Sequence, residues 1–223
     1  MLAVLTTTGC SLVPDTGPAT TQDRVVAGVT GVRLETSGTL SITPGASPAL
    51  TVTAGSEIID TLTSDVEDGV LVLALDGRPP TLGDVHYSLT VSHLDTLVVA
   101  GSGQAVASSV PADALSVAVD GSGDVEMSGM DIDELHVALT GSGTVEAQGD
   151  AITQEVRVEG SGNYAADLLD SAVATVTVAG SGNADVRVTD AITATIRGSG
   201  DIRHTGGARV TSTVDGSGEV VAR

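Results

Sequence analysis

The chain of 223 residues has no phenylalanine, no tryptophan and no lysine, one cysteine, and only two tyrosines, Tyr87 and Tyr164. Each shortage excludes something. A chain almost without rings lacks the stacking platforms on which nucleobases and sugars are usually gripped. The nine basic residues, all arginine, face 29 acidic ones, for a net charge of −20. Binding to nucleic acid or to anionic lipid through a basic patch is therefore not expected. A lone cysteine, Cys10, cannot close an internal disulfide. Outside the first residues, no apolar run reaches the length of a membrane span.

Glycine is the residue in excess, with 28 copies, and its placement is periodic. The tripeptide Gly-Ser-Gly occurs seven times: Gly101-Ser102-Gly103, Gly121-Ser122-Gly123, Gly141-Ser142-Gly143, Gly160-Ser161-Gly162, Gly180-Ser181-Gly182, Gly198-Ser199-Gly200 and Gly216-Ser217-Gly218. The intervals are 20, 20, 19, 20, 18 and 18 residues. A fixed period of this size marks a repeat architecture.

The residues around each tripeptide say which one. Two positions before it stand Val99, Val119, Leu139, Val158, Val178, Ile196 and Val214, all aliphatic. Four before it the column runs Leu97, Val117, Val137, Val156, Val176, Ala194 and Ser212, weakening only at the end. Polar residues such as Ser116, His136, Arg157, Thr177 and Thr195 fall between. This is the period-2 signature of strands with one buried face. After the tripeptide the alternation resumes, with Ala105, Val125, Val145, Tyr164, Ala184, Ile202 and Val220 inward. A unit this short has no room for a helical crossover, which needs a dozen residues of its own. Each unit reads as strand, glycine corner, strand and a looser segment such as Ser128 to Asp133. Stacked in parallel, the units form an all-β, right-handed parallel β-helix with a narrow aliphatic interior that leaves little space for rings. The glycines read as corner residues with positive φ, and the serines as a stacked column. Phosphate-cradling loops are not supported, because no helical pattern follows any copy.

Residues 25–93 are strand-rich but less regular. Val32, Leu34, Leu40 and Ile42 alternate around Thr36-Ser37-Gly38, a degenerate copy of the corner. Further strands are expected at Leu50 to Thr53, Val70 to Leu75 and Val85 to Ser92, with turns at Gly69, Gly77, Pro79 and Pro80. This stretch is expected to supply atypical coils capping the amino end, with regular repeats over 94–223; a separate small β domain is the alternative. At the far end the last coil is incomplete. Its edge is either blunted by Glu219 and Arg223 or paired with a second copy or partner by strand addition.

The first ten residues, MLAVLTTTGC, resemble a bacterial lipoprotein signal, with Thr8 and Gly9 preceding Cys10 as the lipid attachment site. Thr7 stands where leucine is usual, and the basic and most of the apolar parts of a signal are absent, so a start upstream of Met1 is expected. Residues 11–24 then read as a flexible tether. The alternative is an ordinary thiol in a disordered tail.

A search for chemistry finds little. His86, His93, His136 and His204 lack metal-ligand spacing. His136 is expected outward and solvated, and His204 inward as a satisfied core histidine. Asp120, Asp124, Glu126 and Glu146 are the one candidate cation cluster, with a solvated acidic face as the plainer reading. No cofactor is implied.

Three stretches carry a resemblance: Gly31-Val32-Arg33-Leu34 with Ser37-Gly38, Val70-Leu71-Val72-Leu73, and the segment Leu94 to Gly103, followed by the serial corners. Over Val25 to Arg223 the chain resembles the bacterial "putative auto-transporter adhesin, head GIN domain" family. The resemblance implies a β-helical, secreted or lipid-anchored envelope domain of unestablished role, and it supplies no catalytic residues. The expectation is a non-catalytic, adhesin-like or structural cell-envelope lipoprotein. It would be anchored to the membrane by lipid, outside the cytoplasm, and face an envelope protein or polysaccharide. A polysaccharide-active enzyme and a calcium-stabilised spacer are the alternatives.

Overall fold

The computed structural model describes residues 16–77 and 81–223; Cys10 and the Pro79-Pro80 turn lie outside them. Among the described residues seventeen strands form one continuous sheet wound into a β-solenoid of about six turns. In chain order they are β1 (Ala19–Arg24), β2 (Gly31–Leu34), β3 (Thr39–Pro44), β4 (Ala49–Gly55), β5 (Leu62–Glu67), β6 (Val70–Leu75), β7 (His86–Val91), β8 (Thr96–Gly101), β9 (Gln104–Ser108) and β10 (Ala114–Gly121). The long strands follow: β11 (Asp124–Gly141), β12 (Thr144–Gly160), β13 (Asn163–Gly180) and β14 (Asn183–Gly198), then β15 (Ile202–Thr205), β16 (Arg209–Gly216) and β17 (Val220–Ala222).

From β8 onward every pairing is parallel, and the strand stretches leading into the corners are in register. Val99 lies beside Val119, then Leu139, Val158, Val178, Ile196 and Val214. The apolar columns of the sequence are thus columns in space, about 4.8 Å apart. At each corner the serine N–H donates to the first glycine carbonyl of the preceding coil at 2.8 Å, from Ser122 onto Gly101 through to Ser217 onto Gly198. Both glycines of a corner are needed for close approach: a Cβ on Gly121 or Gly123 would lie 2.5 Å from the carbonyl oxygen of Gly101 or Gly103, and Gly121 in addition has φ +131°, which L side chains rarely adopt.

Two expectations are corrected. The segment from Ser128 to Asp133 is not loose. β11 runs unbroken through it, and the coil turns by a register shift between Met127 and Met130 instead. Equivalent shifts interrupt the pairing of the next two coils. The expected tether over 11–24 also ends earlier, because Ala19–Arg24 form β1, paired antiparallel with β4. Tyr164 is fully buried in the inward row where its spacing puts it, and Tyr87 is fully buried too. Tyr164 fits because its inward neighbours are small, with Val145 and Ala184 beside it in the stack and Ala166 and Ala174 on its own coil.

The amino end departs from serial stacking. β2 is flanked by β6 on one side and β8 on the other, and β3 by β7 and β9. The first coil in sequence is therefore second in space. The chain leaves it, builds an outer coil from β6 and β7, and returns. Antiparallel strands finish this end, β5 on β6 and β1 on β4 on β7. The β5–β6 hairpin turns at Asp68-Gly69, with φ +49° and +83°, the two positive values a type I′ turn requires. A 3-10 turn at Ile59–Thr61 folds over the core, burying Ile58 and Ile59, and Arg24 Nη2 donates to the Ile59 carbonyl at 3.0 Å.

Candidate functional site: the outer strand face

Strands leading into the corners alternate, so every second side chain points outward, and register places equivalent side chains in rows along the rod. One outward row begins with Thr96, Ser116 and His136, and the next with Val98, Ala118 and Ala138. They line a shallow depression of about 260 Å³, closed by Glu155 and Arg157. His136 is half-exposed there, 3.5 Å from Glu134 and 3.6 Å from Glu155. Beyond Glu155 and Arg157 the same two rows become threonine. Thr175 and Thr177 pair with Thr193 and Thr195, and these with Thr211 and Thr213. Six hydroxyls thus sit on a flat grid, about 4.8 Å apart across strands and about 6.6 Å along them. The grid's signal in the sequence is Thr-x-Thr at the same offset before each of the last three corners.

The remaining sequence candidates fall elsewhere. The corner serines line one exposed edge of the rod. Glu126 stacks directly on Glu146, but Asp124 Oδ1 accepts the Thr144 N–H at 2.9 Å and Glu126 Oε1 accepts Gln104 Nε2 at 2.8 Å. Asp120 belongs to the strand before the corner and does not line the small depression that the other three share. Among the described residues no group of three or more acidic, histidine or cysteine side chains is placed to hold a metal. His204 is buried as expected, yet its Nδ1 has no hydrogen-bond partner, so it is not the satisfied core residue expected. It lies near the last coil, between Val186 of β14 and Ala222 of β17.

Polar groups that sequence reasoning missed lie in the core. Gln154 occupies the inward row between Leu135 and Ala174. Its Oε1 accepts the Tyr164 hydroxyl at 3.0 Å, its Nε2 donates to Ser171 Oγ at 2.7 Å, and Ser171 donates on to the Arg187 carbonyl at 2.9 Å. Burial pushes the Tyr164 hydroxyl pKa well up, and that of Tyr87 too, where the hydrogen bond to Thr36 partly opposes it. These groups are enclosed and satisfied, which is the pattern of a structural network.

Among the described residues the solenoid is filled by its apolar rows, and flat rows of side chains line its outer face. The chain belongs to the "putative auto-transporter adhesin, head GIN domain" family, whose model matches residues 28–208. Solved structures share the fold. A "putative adhesin" from Bacteroides fragilis NCTC 9343 superposes with a TM-score of 0.83 at 20% identity, covering 92% of this chain and 97% of that one. A "putative lipid binding protein" from Parabacteroides distasonis ATCC 8503 gives 0.75 at 22%, covering 93% and 97%, and a "putative adhesin" from the same organism gives 0.74 at 20%, covering 94% and 98%. A comparison with curated proteins gave no match. The family name points to adhesion at the cell surface rather than to catalysis. No helix among the described residues is long and apolar enough to cross a membrane.

Proposed function

We propose that this protein is a non-catalytic, adhesin-like module of the bacterial envelope, lipid-anchored through Cys10, that presents its outer strand face to a neutral, hydroxyl-rich polysaccharide. The threonine grid carries the reading. A repeating array of hydroxyls and methyls matches a polymer whose own hydroxyls and C–H faces repeat, and it needs no aromatic platform. Charge narrows the ligand further. A molecule of net charge −20 repels anionic polymers, and the grid lies where the chain is least acidic.

Retention on insoluble envelope polysaccharide tests the reading. Thr193→Val with Thr195→Val keeps shape and strand preference but deletes two hydroxyls, and is expected to weaken binding about tenfold. Equal retention of variant and parent would remove the grid as the binding surface. The anchor is tested separately, by incorporation of a labelled fatty acid that Cys10→Ser abolishes.

A further inference from the structure

We infer that two copies of this chain join end to end through β16, in an antiparallel pairing centred on Ser212. This goes beyond the binding reading and does not depend on it.

Among the described residues β16 pairs on one side only, with β14. The backbone of Ser217 donates to Gly198. Alternation along a parallel ladder then commits the N–H and C=O groups of the odd-numbered residues of β16 to β14. Those of Val210, Ser212 and Val214 are left on the free edge. An antiparallel partner must therefore set these three against its own three. One register satisfies all of them: Val210 opposite Val214 of the second copy, Ser212 opposite Ser212, and Val214 opposite Val210. Each such pair exchanges two hydrogen bonds. The outward residues then fall into place without further choice. Thr211 faces Thr213, and Arg209 faces Asp215, an opposite-charge pair made twice across the twofold axis. Read from either end, Arg-Val-Thr-Ser-Thr-Val-Asp is self-complementary.

Two further observations favour a second copy. Val210 and Val214, which belong to inward rows, are 43% and 45% exposed, and the pairing stacks each on its counterpart as the rows do within the rod. Charge also singles out this end. Residues 1–182 carry 24 acidic and four basic side chains, whereas residues 183–223 carry five of each. Side-by-side association of two acidic shafts is opposed, and the neutral end is where copies can meet.

The test is the oligomeric state of the full chain in reducing buffer, by sedimentation from micromolar to sub-millimolar concentration. The parent is expected to dimerise. Arg209→Asp, or Asp215→Arg, sets like charges together twice and should raise the dimer dissociation constant about tenfold. The double exchange, Arg209→Asp with Asp215→Arg, should restore it. In a Cys10→Ser background, Ser212→Cys should cross-link to itself on oxidation and Val214→Cys should not, because only residue 212 lies on the axis. A parent monomeric throughout, single exchanges without effect, a double exchange that fails to restore, or cross-linking at 214 and not at 212 would each overturn the pairing.

Discussion

The two ends of this solenoid solve the same problem differently. Any stack of parallel coils ends in strands with unpaired backbone and an open core. The amino end is shut with antiparallel strands, a folded-over 3-10 turn and buried Ile58, Ile59, Leu62 and Leu71. The carboxy end carries no such cover among the described residues: every residue of β16 is exposed, and the inward rows run out into Ser212 and into His204, whose Nδ1 has no hydrogen-bond partner. The contrast shows that closing a β-helix takes chain that leaves the repeat. Residues 25–93 deviate from the period because part of them is spent on the lid.

The sharpest way to break the comparison is to truncate equivalent core residues at both ends. Leu71→Ala, in the sealed cap, is expected to cost about 2–5 kcal/mol in denaturant unfolding. Val214→Ala, at the open end, should stay within about 0.5 kcal/mol when measured on dilute, undimerised chain; similar losses at both sites under that condition would mean that the far end is closed within the single chain as well. Between the ends, Gly141→Ala forces a side chain into φ +132° against the Gly121 carbonyl and should cost about 3 kcal/mol, detectable as a lowered urea midpoint. Tyr164→Phe orphans Gln154 Oε1 for about 1–3 kcal/mol, and adding Gln154→Leu should recover part of it.

A pH series sharpens the same point. The unfolded tyrosine loses its proton near pH 10, while folded Tyr164 holds it to much higher pH. Its contribution is therefore complete below pH 10 and falls above it by about 1.4 kcal/mol per pH unit, a slope that Tyr164→Phe should remove. The smallest effect expected is that of calcium: with Asp124 and Glu126 already engaged by Thr144 and Gln104, titration should leave the melting temperature unchanged.

The parallel stack was legible because its signals are local and repeated. Val99 and its six counterparts, two residues before each Gly-Ser-Gly, needed only a period and an alternation to be aligned. What escaped depends on a single copy or on chain that reverses order. Nothing local to Val32 reveals that it lies between Leu71 and Leu97. Gln154 is one polar residue in an otherwise apolar row, and its burial is intelligible only beside Tyr164 and Ser171. The threonine grid was within reach, since Thr175, Thr193 and Thr211 sit at matching offsets. Outward rows are not constrained by packing, so matching offsets alone do not separate a grid from ordinary solvated strand residues.

The unbroken line of glycine corners makes length an independent variable. Excising residues 124–143, one whole winding, would bring Ala105 onto Val145, Val117 onto Val156 and Gly121 onto Gly160, the same kinds of neighbour each has now. The rod can thus be lengthened or shortened in steps of about 4.8 Å, with the sealed end and the exposed end left as they are.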